Sequence, residues 1–176
     1  MDLNVREATL NDIPLINAYW QQADESFLEG MGADKSKLPA PEDFALMLGQ
    51  QIESSYADKK AYALIWEVDQ VAIGHCNVND IIFGQSAFMH LHLWQSDKRK
   101  KGMGAQLVRM SLPFFFDKLE LETLYCQPKS DNEAPNRTLA KVGFHFLRNR
   151  WCTPGSINFE QEVNLWALPK ETFEAM

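Results

Sequence analysis

The sequence predicts an α+β fold: a mixed, mostly antiparallel central sheet flanked by helices, formed by residues 1–176 as a single domain. Three observations predict it. Ala61–Val68 and Val71–Val78 are apolar, partly β-branched runs separated only by Asp69-Gln70, the length of a tight hairpin connection. Apolar residues recur at helical spacing around 13–20, 44–52 and 108–119. The remaining strand-like runs alternate with short helical stretches, so the helices have a sheet to pack on.

Each element has a local reason. Leu3 to Glu7 alternates as a first strand, and Thr9 before Leu10-Asn11-Asp12 reads as a capping pattern. Ile13, Ile16 and Tyr19/Trp20 mark a helix that tolerates Pro14 in its first turn. Residues 23–41, punctuated by Gly30, Gly32, Pro39 and Pro41, read as a loop or a broken helix. The next helix opens near Pro41 and shows Phe44, Met47, Leu48 and Ile52 on one face. After the hairpin, a turn around 82–86 leads to a central strand at 87–94. A helix from Ala105 to Lys118 follows, with Val108, Leu112, Phe115 and Leu119 along one side and Pro113 expected to kink it. Thr123–Gln127 is another strand, Pro135–Lys141 a short helix closed by Gly143 in the left-handed region, and Phe144–Cys152 and Glu162–Leu168 the last two strands. The order is β-α-α-β-β-β-α-β-α-β-β, with no internal repeat and no linker.

Composition removes several function classes. The net charge of −7 disfavours a general nucleic-acid or anionic-membrane surface. Cys76, Cys126 and Cys152 are an odd number without metal-ligand spacing, so free thiols and no metal are expected. The first residues lack the basic and apolar segments of a signal peptide, and no apolar run approaches the ~20 residues of a membrane helix. A cytoplasmic location is expected.

The functional stretch is Phe88 to Gly104. A strand containing His90, His92, Leu93 and Trp94 empties into Arg99-Lys100-Lys101-Gly102-Met103-Gly104, and a helix starts at once. Glycines let backbone N–H groups approach oxyanions, and the helix N-terminus with three cations favours a phosphate-bearing ligand. About thirty residues on comes Asn132-Glu133-Ala134-Pro135-Asn136-Arg137-Thr138-Leu139-Ala140-Lys141-Val142-Gly143-Phe144. Together, Arg99-x-x-Gly102-x-Gly104 and this segment resemble the two signature motifs of the GNAT superfamily, the Gcn5-related N-acetyltransferases. Within it, the second motif is most similar to the ribosomal-protein-alanine acetyltransferase-like branch.

The resemblance implies transfer of an acetyl group from acetyl-CoA to a primary amine of a small molecule or a protein N-terminus, in a fold that allows a homodimer. It implies strands four and five splayed to hold acyl-CoA. The backbone of His92, Leu93 and Trp94 would pair with the pantetheine arm. The N–H groups of Arg99, Lys100, Lys101, Gly102, Met103 and Gly104 would hold the pyrophosphate, and Asn132 would contact the arm near the thioester. Two positions depart from the family pattern. Leu139 stands where many members place an acidic tyrosine, and Gln127 where the alanine acetyltransferases place a basic glutamate. The alternative is therefore a non-catalytic acyl-CoA-binding or sensing domain of the same fold.

For the chemistry, His90 is the first choice of base, because an ordinary imidazole titrates near neutrality, and His92 shares its strand face. Glu67 and Asp80 near neighbouring strand edges, Cys126 as a nucleophile and Asn136 as an orienting amide are further candidates. The loop 153–160, near Trp151, Phe159 and Trp166, and the 23–41 stretch with Asp24, Glu25, Glu29 and Asp34 are expected to wall the acceptor pocket.

Overall fold

The computed structural model describes residues 1–94 and 102–176. Seven strands, β1 (Leu3–Glu7), β2 (Ala61–Val68), β3 (Val71–Ile82), β4 (Ser86–Leu93), β5 (Thr123–Cys126), β6 (His145–Cys152) and β7 (Gln161–Pro169), form one sheet in the order β1-β2-β3-β4-β5-β7-β6. Neighbours pair antiparallel except β4 with β5, which are parallel. The helices are α1 (Ile13–Gln21), α2 (Glu25–Gly30), α3 (Pro41–Glu53), α4 (Met103–Lys118), α5 (Glu133–Val142) and α6 (Lys170–Glu174).

Most boundaries lie within a residue or two of the expected ones, and the differences have physical causes. Asp69 and Gln70 both take positive φ, which gives the β2–β3 hairpin the twist its strands need. β3 runs four residues past Val78, because an irregularity between Asn79 and Ile82, with Asp80 at φ 47°, lets the strand continue while it bends. Thr9 and Asp12 do form a cap: the Thr9 N–H and hydroxyl donate to Asp12 Oδ2 at 2.8 and 3.1 Å. α2 lies within the 23–41 stretch that reads as a loop or a broken helix; six residues are too few to give a periodic signal of their own.

Alternation divides the sheet into two buried faces. Leu64, Trp66, Ile73, Cys76, Val78, Ala87, Met89 and Leu124 meet Leu107, Val108, Leu112, Phe115 and Phe116 of α4, with Leu139 and Val142 of α5. Each large side chain fully buried there contributes ~1.5–3 kcal/mol. Pro113 sits on the exposed side of α4 and has no N–H to give to the Arg109 carbonyl, itself on an exposed residue. The opposite face packs Ile65 against Ile16 and Trp20 of α1, Leu28 of α2 and, more loosely, Phe44, Leu48 and Ile52 of α3. Met47 of α3 is instead half exposed, at the rim of the cavity described below.

Candidate active site

The sheet opens between β4 and β5. They pair only from Ser86 with Thr123 to Met89 with Cys126. β4 then continues to Leu93 along β3. The chain beyond Cys126 follows β7 instead, with Asn164 N–H donating to the Pro128 carbonyl and Ser130 N–H to that of Glu162. Past the branch point, the edge of β4 that faced β5 has lost its strand partner, and its backbone groups need another. His92, Leu93 and Trp94 lie on or just beyond this freed length of β4.

His90 and His92 point to the α1–α3 face. Across β3 they pair with Asn77 and His75, which point the same way. His90 Nε2–H donates to Asn79 Oδ1 at 3.0 Å, which leaves Nδ1 as the ring's acceptor. Burial lowers the His90 pKa to about 4, although the charge of Asp80 acts to raise it. His92 is buried, stacks on His75 at 4.5 Å between centroids and is hydrogen-bonded through Nδ1 to the Tyr19 hydroxyl at 3.1 Å. Trp94 Nε1–H donates to His75 Nδ1 at 2.8 Å. Burial, with His90 nearby, lowers His75 to about 3, and burial with both neighbouring imidazoles holds His92 well below its usual value. All three rings are therefore neutral near pH 7. Among the described residues no group of three or more His, Cys, Asp or Glu is placed to hold a metal ion.

These rings floor a cavity of about 690 Å³. Ala61, Ala63, Asn77 and Asn79 complete the floor, and Ile16, Trp20, Phe44, Leu48 and Ile52 form the helical wall. The roof is made by the two segments expected to wall the pocket, through Met31, Ala33, Leu38 and Pro39 and through 155–158. They are stitched together: Asp34 N–H donates to the Ile157 carbonyl at 2.8 Å, and the Asn158 amide and Gln161 Nε2 each donate to the Gly32 carbonyl at 2.8 Å. The acidic residues of this stretch lie elsewhere. Glu25, Glu29 and Asp34 border a separate shallow hollow with Lys35, Lys129 and Phe159. Trp151 is 69% exposed, and Trp166 packs on the α5 face, bonded to Asn136.

At the other side of the branch, α4 starts at Met103, with Gly102 as its N-cap at φ 86°. The first N–H groups of a helix have no partner within it and point out of the N-terminus. A Cβ at Gly104 would meet nothing closer than Thr138 at 3.7 Å, so the protein's own packing does not demand glycine there. Arg99, Lys100 and Lys101 lie outside the described residues. Asn132 is the N-cap of α5, and its N–H donates to the Lys129 carbonyl.

Several other candidates have structural employment. Glu67 accepts from Asn4 and Arg6 at 2.7 Å each. The Cys126 thiol donates to the Met89 carbonyl, and burial pushes its pKa up to about 12, so it is no nucleophile. Asn136 makes four bonds, giving to Lys129 and Asn132 carbonyls and accepting from Asn164 and Trp166, which lock α5 to β7. His75, Asn79, Tyr19 and Arg150 were missed. For His75 and Asn79 the signal was cross-strand register, and an isolated sequence shows alternation but not which residue lies opposite which; Tyr19 reaches His92 from α1 and Arg150 reaches Gln127 from β6.

The sequence model of the acetyltransferase (GNAT) domain family matches residues 2–145. No curated protein matches the sequence. Among solved structures, the spermidine N-acetyltransferase of Vibrio cholerae in complex with CoA and spermine superposes with TM-score 0.78 at 15% identity, over 98% of each chain. The ribosomal L7/L12 alpha-N-protein acetyltransferase RimL with coenzyme A gives 0.78 at 14% identity, over 97% of this chain and 95% of that one. An aminoglycoside acetyltransferase with coenzyme A gives 0.75 at 15%, over 99% of each. At such identities the likeness is one of fold, whereas the family model spans most of the sequence and both motifs. This chain belongs to the GNAT acetyltransferase family.

Proposed function

We propose that the chain transfers an acetyl group from acetyl-CoA to the primary amine of a small molecule with an apolar body. One observation carries this reading: the parting of β4 from β5 borders a roofed, largely apolar cavity with His90 on its floor. Its volume lies in the range of small-molecule sites. The stitched roof disfavours a protein N-terminus. A polyamine would want carboxylates along its length, whereas the cavity carries Asp80 and a Glu7 already bonded by Tyr56 and Tyr62. The three solved relatives above are all named as acetyltransferases of amine-bearing substrates, which supports an amine acceptor.

Acetyl-CoA supplies an activated thioester; the residues of the chain hold and orient it. The free edge at His92, Leu93 and Trp94 offers backbone groups to the amides of the pantetheine arm, as an added strand would. The N-terminus of α4 at Gly102, Met103 and Gly104 offers N–H groups to the pyrophosphate, with Arg99, Lys100 and Lys101 adding charge. Asn132 stands at the head of α5 for the arm. His90 Nδ1 takes the proton that the acceptor nitrogen sheds as its bond to the carbonyl carbon forms and the carbon–sulfur bond breaks. The burial of His92 between Tyr19 and His75 supports a positioning role for it.

Thiol release from acetyl-CoA across an amine panel tests the reading. Aryl- and alkylamines are expected to turn over with kcat/KM at least about tenfold above spermidine and above N-terminal peptides, a gap worth ~1.4 kcal/mol in transition-state binding. A preference for peptides or polyamines, or no amine-dependent release, would overturn it.

A further inference from the structure

Gln127 occupies the position where a glutamate base would be expected, and the structure gives it a different task. Met89 and Cys126 are the last paired residues of β4 and β5. The next residues are His90, still on β4, and Gln127, just past the end of β5. Phe88 and Tyr125 pair two residues earlier, so by alternation His90 and Gln127 point to the same face as that pair. They stand one on each side of the point where β4 and β5 part.

Arg150 fixes how Gln127 presents itself. It stands on β6 opposite Val163 of β7, and its Nη2–H donates to Gln127 Oε1 at 2.6 Å. A guanidinium has no acceptor, so the amide atom facing it must be the oxygen. The Gln127 NH₂ group therefore points away from Arg150. Arg150 Nε is itself buried and has no hydrogen-bond partner among the described residues.

We infer that Gln127, oriented by Arg150, donates a hydrogen bond to the thioester carbonyl oxygen across the opening from His90. This rests on the branch point being the place of acyl transfer. As the acceptor nitrogen bonds to the carbonyl carbon, the carbonyl π pair moves onto oxygen, where Gln127 Nε2–H stabilises it. When the pair returns, the carbon–sulfur pair leaves with the CoA sulfur, and the nitrogen's proton passes to His90. Gln127 is then a catalytic donor and Arg150 its positioning residue. The chain would keep its base on β4 and its electrophilic group just past the end of β5.

Gln127→Glu tests this, since a carboxylate keeps the bond with Arg150 but has no hydrogen to give. The variant is expected to bind CoA and melt as the wild type does, with kcat about 100-fold lower and KM for acetyl-CoA unchanged, the usual cost of losing such a donor. Arg150→Met is expected to lower kcat without changing CoA affinity, and Arg150→Lys to restore most of it. The carbonyl stretch of bound ¹³C-labelled acetyl-CoA, read by difference infrared spectroscopy, is expected at lower frequency in wild type than in Gln127→Glu. Equal frequencies, or turnover in Gln127→Glu equal to or above wild type, would overturn the assignment. If wild type releases no thiol with any amine, the proposed acceptor chemistry falls, while the carbonyl frequency still decides the donor.

Discussion

Substituting His90 by alanine removes the ring acceptor that its bond to Asn79 leaves available. If this nitrogen takes the acceptor's proton, kcat for acetyl transfer should drop at least ~100-fold while the calorimetric Kd for CoA stays unchanged. Unaltered turnover would remove His90 from the chemistry. Gly104→Val asks a complementary question at the phosphate end. Its side chain has space within the protein, with Thr138 as the nearest neighbour, so the melting temperature should hold. CoA binding should be lost, because the side chain occupies the ground a pyrophosphate would need. The sequence displayed these residues openly, His90 through its place on the central strand and Gly104 through the turn. It hid Asn79 and Arg150, because one acts across a strand pair and the other reaches over a whole strand to a residue 23 positions away.

Among the elements, the β3–β4 pair carries the site, and Gly74 sets its spacing. A Cβ there would overlap the His92 carbonyl oxygen and crowd Leu93 Cα at 3.2 Å. Both contacts are backbone and cannot turn away. Gly74→Ala should therefore lower the urea midpoint and depress activity together, by shifting the strand that presents His90 and His92. Leu112→Ala, on the opposite face under α4, should cost ~2–5 kcal/mol in urea unfolding yet leave the specific activity of the folded fraction intact. The strands and α4 were legible because period-two and helical patterns are properties of contiguous residues. The bend in β3 at Asp80 was not, since polar Asn79 and Asp80 look like a strand end. The two segments of the roof were legible, but the bonds that join them were not, since they link residues more than a hundred positions apart.

For the molecule as a whole, the three neutral imidazoles link stability to pH. An unfolded chain titrates its histidines near 6.5, whereas folded His90 and His75 titrate at about 4 and about 3. Between those values the unfolded chain binds more protons. The stabilisation is thus complete above about pH 6.5 and lost progressively as pH falls through 4 towards 3. His90 borders the cavity, so water there reduces its share. Asp12 and Glu7, held below their ordinary values, add their own loss once pH falls below the ordinary carboxylate range, overlapping the acid end of the histidine window. A urea midpoint that declines from pH 7 to 4, and declines less in His75→Gln, is the expected result; identical slopes would contradict it. The stitched roof has a consequence for synthesis. Its hydrogen bonds join Gly32 to Asn158 and Gln161, 126 and 129 residues apart. Closing so long a loop waits until both ends of the chain are present. During translation, the β4 edge and the α4 N-terminus exist well before the chamber does. A ribosome-bound chain ending before β6 thus carries the β4 edge and the α4 N-terminus with the chamber still open, and the chamber is completed last.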